Sequence, residues 1–257
     1  MHNFFKMSLS VLILLVSSFS GAAESPLPEI VNKPSFKVND TWTFRINDRA
    51  QNGETKERHM ILTIVRSSSD SVLQSAKAVD SSMPPIEKLL GSDLSLAVSI
   101  NGEEAIVHKP FDFPMKTGKK WKVSYETENP TKTVKKHRVE LLYTVRGWEE
   151  VKVPAGKFQA FKVEAEGTWR NEFNPTPLSA ESVSQVDKNG AVIVLKNQKP
   201  SVPTPIKGRI FRTYWYVPAI KRDVKSIEEQ FTSDGSLSSK NTRELESYKL
   251  DGKDDSK

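Results

Sequence analysis

Cysteine is absent from all 257 residues. That excludes a disulfide framework, a thiolate metal site, a cysteine nucleophile and a lipid-modified cysteine. Histidine is nearly as scarce, with four in the chain, and none sits at His-x-x-x-His spacing. There is no Gly-x-Ser-x-Gly elbow, no glycine-rich phosphate loop and no aspartate-rich calcium loop. Glycine (12) and proline (15) are not in excess and charged residues make up 27% of the chain, which excludes a collagen-like or mainly disordered polymer. Apolar runs are short, none reaching the ~20 residues of a membrane-spanning helix.

What is present begins at the N-terminus. Lys6 precedes an apolar stretch from Met7 to Phe19, and Ser20-Gly21-Ala22-Ala23 then supplies small residues before Glu24. A cationic start, a short apolar run and a small-x-small site predict a secretory signal peptide over 1–23, cleaved after Ala23. The expected location is therefore exported, periplasmic or extracellular, with no transmembrane segment after cleavage. Residues 24–35, holding Pro26, Pro28 and Pro34, read as an extended lead-in. One β-rich domain is expected over 36–250, with 251–257 as a disordered tail.

Period-two alternation dominates the interior of the chain. Trp42, Phe44 and Ile46 alternate with polar neighbours, as do Trp121, Val123 and Tyr125, and then Val139, Leu141, Tyr143 and Val145. Such alternation describes half-buried strands. Further strands are expected over 59–66, 71–79, 104–108, 158–167, 191–196, 209–217, 225–232 and 241–249. Turn chemistry separates them at Val153-Pro154-Ala155-Gly156, Asp187-Lys188-Asn189-Gly190 and Ser233-Asp234-Gly235-Ser236. Short helices are expected at Pro85–Leu96 and at 177–186. The fold class is mainly β, an antiparallel curved sheet or half-barrel.

Two stretches also align with each other. Lys37–Phe44 matches Lys116–Val123 at a shift of 79, and Leu62–Arg66 matches Leu142–Arg146 at a shift of 80. Two pseudo-repeated meanders within one sheet would produce this, and so would chance recurrence of Trp-led strands; the sequence leaves both open.

Catalytic constellations are missing. His59, His108 and His137 have no partner at ligand spacing, and Ser236–Lys240 reads as a solvated loop. The pairs Glu103-Glu104, Glu149-Glu150 and Glu228-Glu229 would point to opposite faces of a strand. The expectation is a non-enzymatic protein with no cofactor and no metal. Two surfaces are candidates for binding. Lys120 and Lys122 on one strand and Lys136 and Arg138 on the next share an outer face, a basic patch suited to anionic envelope polymers or lipid headgroups and not to nucleic acid. Trp148, Trp169, Tyr214 and Tyr216 lie near predicted turns or strand ends and could line a ligand cavity or stack on a sugar.

Val153-Pro154-Ala155-Gly156-Lys157-Phe158, then Tyr214-Trp215-Tyr216-Val217-Pro218, resembles a loose set of exported bacterial β-rich proteins of unknown function with VPAGxF and YWYxP motifs. Some of these are distantly similar to the periplasmic lipoprotein-carrier half-barrels, whose inner side holds acyl chains. The resemblance implies an antiparallel half-barrel and a lipid or other amphipathic ligand, or an envelope component as partner. A carbohydrate-binding or surface-adhesion module, and an enzyme with an unrecognised site, are the alternatives.

Overall fold

The structure, a computed structural model, describes residues 26–100, 102–175, 184–186, 192–194, 203–250 and 253–254. The expected signal peptide therefore lies outside the described residues. The first strands are β1 (Ile30–Val31), β2 (Thr41–Ala50), β3 (Thr55–Ser67), β4 (Ser71–Ala78), β5 (Ile86–Gly91) and β6 (Leu96–Ile100). They are followed by β7 (Glu103–His108), β8 (Met115–Lys116), β9 (Lys120–Glu128), β10 (Val134–Val153), β11 (Gly156–Phe173), β12 (Ser184–Val186) and β13 (Val192–Val194). The last are β14 (Ile206–Val217), β15 (Arg222–Thr232), β16 (Leu237–Leu250) and β17 (Lys253–Asp254), with one 3-10 turn at Pro218–Ile220.

One antiparallel sheet runs β5-β4-β3-β2-β16-β15-β14-β11-β10-β9, with β17 paired to β16. It curves without closing, as the expected curved sheet or half-barrel does. Its two free edges, β5 and β9, are bridged by the separate hairpin β6–β7: β6 lies against β5, and β7 against β9. The inner face carries the core: Trp42, Phe44, Ile64, Leu141, Tyr143, Phe161, Ile210 and Leu245 are each under 2% exposed. Behind the hairpin, the segment after His108 turns inward, so that Phe111 and Met115 are fully buried and Phe113 is half-buried. Phe111 packs on Tyr216 (ring centroids 4.8 Å apart) and on Tyr214 (5.9 Å).

The helix expected at Pro85–Leu96 is a strand and a turn. Ile86, Leu89 and Leu90 have helical spacing, but β4 offers an unpaired edge that β5 takes up from Ala76↔Ile86 to Ser71↔Gly91. Its backbone groups are satisfied there, and only Leu90 is buried while Ile86 and Leu89 remain exposed. Of the second expected helix, 177–183 lies outside the described residues, and Ser184–Val186 is a strand paired with Val192–Val194. The turn expected at 187–190 lies outside them too. The Pro154-Ala155 turn is in place, with Val153 facing Gly156 at φ +134°.

The internal match recurs in backbone geometry. Asn39 (φ 72°) and Gly118 (φ 84°) occupy equivalent left-handed positions. Asn39 N–H donates to Ile64 O and Gly118 N–H to Val145 O, while Ile64 N–H donates to Asp40 O and Val145 N–H to Lys119 O. Each partner strand then bulges at the same place, between Ile64 and Arg66 and between Val145 and Gly147. The structural shift in the partner strand is one residue larger than the aligned sequences suggest: Leu62, facing Trp42, corresponds to Tyr143, facing Trp121. The Leu62–Leu142 identity misleads, because a one-residue slip turns a strand over; Leu142 is 45% exposed and Tyr143 fully buried.

Candidate functional site

Two polar rungs cross the inner face. The register sets Arg58, Ile46, Arg243, Ser226 and Tyr214 side by side over β3, β2, β16, β15 and β14. The next rung holds Asp48, Asn241, Glu228 and Arg212, then Ala165, Tyr143 and Trp121. Between the rungs and the β6–β7 hairpin lies a cavity of about 240 Å³, lined by Ile46, Arg58, His108, Tyr214, Ser226, Ile227, Glu228, Asn241 and Arg243. On the scale of ~30 Å³ per water in the liquid, that is room for about eight waters.

The charges in this band are arranged in pairs. Arg212, 8% exposed, donates from Nε to Glu228 (2.6 Å) and from Nη1 to the Tyr143 hydroxyl (3.3 Å). Arg243 pairs with Asp223 and stacks on Phe44 at 4.8 Å. Arg222, 4% exposed, lies over Trp42 at 4.9 Å and donates to Gln74 Oε1 at 3.0 Å. Burial, with Arg243 alongside, pulls its pKa down to about 10, so it remains charged at neutral pH. Trp42 in turn donates from its indole to Ile220 O at 2.9 Å, and this links the band to the 3-10 turn.

Two groups in the cavity wall stand apart. Tyr214 is 6% exposed, and among the described residues its hydroxyl has no hydrogen-bond partner; burial raises its pKa well above the ordinary value. His108 stacks edge-on against Tyr214 at 6.1 Å. Desolvation, followed by the charges of Arg212 and Arg243, lowers its pKa to about 3. The cavity therefore presents a neutral imidazole, hydroxyls and guanidiniums, and its one carboxylate, Glu228, is already engaged by Arg212 and by Gln230 (3.0 Å). Hydrogen-bond donors are in surplus, so an acceptor-rich guest fits.

Of the residues singled out from sequence, only Tyr214 lines this cavity. Tyr216 is fully buried beneath Phe111 and Phe113, and among the described residues its hydroxyl has no partner. Trp148 is half-buried, packs on Phe161 and donates to Pro28 O at 2.9 Å, pinning the lead-in. Trp169, 5% exposed, donates to Phe231 O at 3.2 Å. Lys120, Lys122, Lys136 and Arg138 do share the outer face, but carboxylates interleave with them. Lys136 and Arg138 converge on Glu126, and Lys122 lies 3.6 Å from Glu140.

Arg58, Arg212, Ser226, Asn241 and Arg243 were not singled out, and His108 and Glu228 were weighed as catalytic residues and set aside. A signal for them existed in the expected strands 225–232 and 241–249, where Ser226, Glu228, Asn241 and Arg243 keep period two. Polar residues in alternation normally mark the solvent face, yet here they point inward, and Phe231 packs on Phe211 on the outer face.

His59 lies on the outer face, where its Nδ1 is 2.8 Å from Glu246 and its Nε2 is 3.6 Å from Glu57. The hydrogen bond to Glu246 holds its pKa above the ordinary 6.5. An NMR titration of the histidine ring protons should place the His59 midpoint above 6.5, and Glu246→Gln should move it down. An unmoved midpoint would contradict the pairing.

Among the described residues no group of three or more His, Cys, Asp or Glu is placed to hold a metal ion. Among them, too, no helix is long and apolar enough to cross a membrane. No family model matches the chain, and no curated protein matches it. Two solved structures are similar at low identity. One is a candidate exported protein with a YmcC-like fold from Bacteroides fragilis, 15% identical, covering 85% of this chain and 99% of its own, at a TM-score of 0.43. The other is a candidate lipoprotein from Parabacteroides distasonis, 14% identical, covering 86% of this chain and 100% of its own, at a TM-score of 0.45.

Proposed function

We propose that the protein is a non-catalytic, exported binding module that takes the anionic group of a small or amphipathic ligand into the inner cavity. The observation that carries this reading is the excess of donors in the cavity wall, where Arg243 has a buried Nε without a partner among the described residues and Tyr214 makes no hydrogen bond among them. A buried polar group left unpaired costs about 1–3 kcal/mol, and an oxyanion guest would remove that cost. The volume admits a carboxylate or phosphate with a few attached atoms and not an acyl chain, so any tail of the ligand stays outside. Export is supported by the signal-like pattern at 1–23.

Catalysis is disfavoured on chemical grounds. His108 and Glu228 share the cavity, but a histidine with a pKa near 3 is a poor general base at neutral pH, and Glu228 is held by Arg212. Sugar stacking needs rings open on one face, whereas Tyr214 and Tyr216 are buried.

A thermal-shift titration with inorganic phosphate and with acetate tests the binding reading. The wild type should gain stability saturably with at least one, reaching about 2.7 kcal/mol at a hundredfold excess over Kd. Tyr214→Phe removes only the unpartnered hydroxyl and should fold with unchanged stability, yet lose at least tenfold in affinity. No saturable shift with either anion, or an equal shift in the variant, would end this reading.

A further inference from the structure

A second, independent site lies at the far end of the outer face, around Gly208. There the register brings Arg138, Arg170 and Lys207 into one row across β10, β11 and β14, with Glu140, Thr168 and Arg209 in the next. Together with Trp169, Gly208 and Ser233 these residues line a pit of about 460 Å³. Four cations face one carboxylate there, and Glu140 is already near Lys122. The Arg138 and Arg170 side chains are 58% and 50% exposed, and their carboxylate partners, Glu126 and Glu172, lie outside the pit lining. Lys207 and Arg209 are exposed and have no ion pair among the described residues; Arg209 is braced over Phe211 at 4.7 Å.

Gly208 sits in the pit lining where the strands pass closely. A Cβ there would meet Phe231 O at 1.7 Å and the Trp169 indole nitrogen at 3.0 Å, so the strands can approach this closely only because the position has no side chain.

We infer that this pit is a phosphate-group site. Guanidiniums in adjacent rows match the oxygens of a phosphate ester with paired, charge-assisted hydrogen bonds, and an unpaired lysine adds a point charge. Of the basic surface expected at Lys120, Lys122, Lys136 and Arg138, only Arg138 lines this pit. Lys122, Lys136 and Arg138 lie beside glutamates, whereas in the pit lining Lys207 and Arg209 have no ion pair among the described residues.

The test uses the whole chain with two probes, phosphatidylglycerol vesicles (phosphatidylcholine as control) and soluble glycerol 3-phosphate. Lys207→Glu with Arg209→Glu should weaken binding of whichever probe is held by about tenfold or more. Lys120→Glu with Lys122→Glu, on the same face outside the pit, should change it less than twofold, and Tyr214→Phe should leave it unchanged. Tighter binding to phosphatidylglycerol vesicles than to the soluble ester supports the site with a lipid as its source; comparable binding supports it with a soluble source. The proposal is overturned if neither probe binds, if the two double variants lose equally, or if a phosphate-free acidic polysaccharide binds as tightly.

Discussion

Replacing His108 with glutamine should make the protein less sensitive to mild acid. In the folded state the imidazole pKa is lowered to about 3, from the ordinary 6.5. Because the folded pKa is depressed, there is no penalty above pH 6.5, where both states hold a neutral ring. As the pH falls through 6.5 the unfolded chain takes up a proton that the folded one refuses, and stability drops at about 1.4 kcal/mol per pH unit. At pH 4.5 the cost comes to about 2–3 kcal/mol, an upper figure because water in the cavity screens the charge. The groups facing the ring are Tyr214 and Arg212 on β14, Asp223 and Glu228 on β15, Arg243 on β16, Arg58 on β3 and Lys88 on β5. Cations outnumber carboxylates among them, so protonation has no compensating partner. Urea unfolding at pH 7.5 and 4.5 should give a smaller loss for His108→Gln than for the wild type by about that amount. Equal losses, or a His108 ring that titrates near 6.5 by NMR, would remove His108 as the acid-sensitive group.

Trp42→Ala should cost about 5 kcal/mol, against about 2 kcal/mol for Trp121→Ala. Large-to-small changes at a fully buried tryptophan cost ~3–5 kcal/mol. At Trp42 the Ile220 carbonyl would also lose its donor and Arg222 would lose the ring it lies on. Trp121 occupies the equivalent place in the repeat, but on the edge strand β9. It is half-buried, stacked on Tyr143 at 5.1 Å and bonded to Lys109 O at 3.0 Å. A domain is stable by only ~5–15 kcal/mol, so Trp42→Ala can unfold it. Trp42→Phe, which keeps a ring and drops the indole N–H, should then cost about 1–3 kcal/mol. Chemical denaturation measures all three, and similar losses at Trp42 and Trp121 would refute the asymmetry.

The alternation at Trp42–Ile46, Trp121–Tyr125 and Val139–Val145 made the sheet legible, because burial on one face leaves a period-two record. The hairpin at Pro154-Ala155 was legible because few residues suit that turn. Two features left no such record. The segment at Ile86–Leu90 has helical spacing and becomes a strand only because β4 presents an unpaired edge, a tertiary fact. The inner polar band was hidden by the same rule that revealed the core. Ser226, Glu228, Asn241 and Arg243 look like solvent residues until β14 and β2 enclose them, and His108 arrives from a hairpin that no local pattern aims at the cavity.

The order of pairing has a consequence for assembly. β2 is zipped on one side to β3, its neighbour in the chain, and on the other to β16, so that Arg45 and Glu244 meet across 199 positions. Contacts this distant in sequence slow folding, since the loop must close before the contact can stabilise it. A nascent or threaded chain from which β16 has not yet emerged would hold β2 with one flank bare, and β16 is the strand that joins β2 to β15.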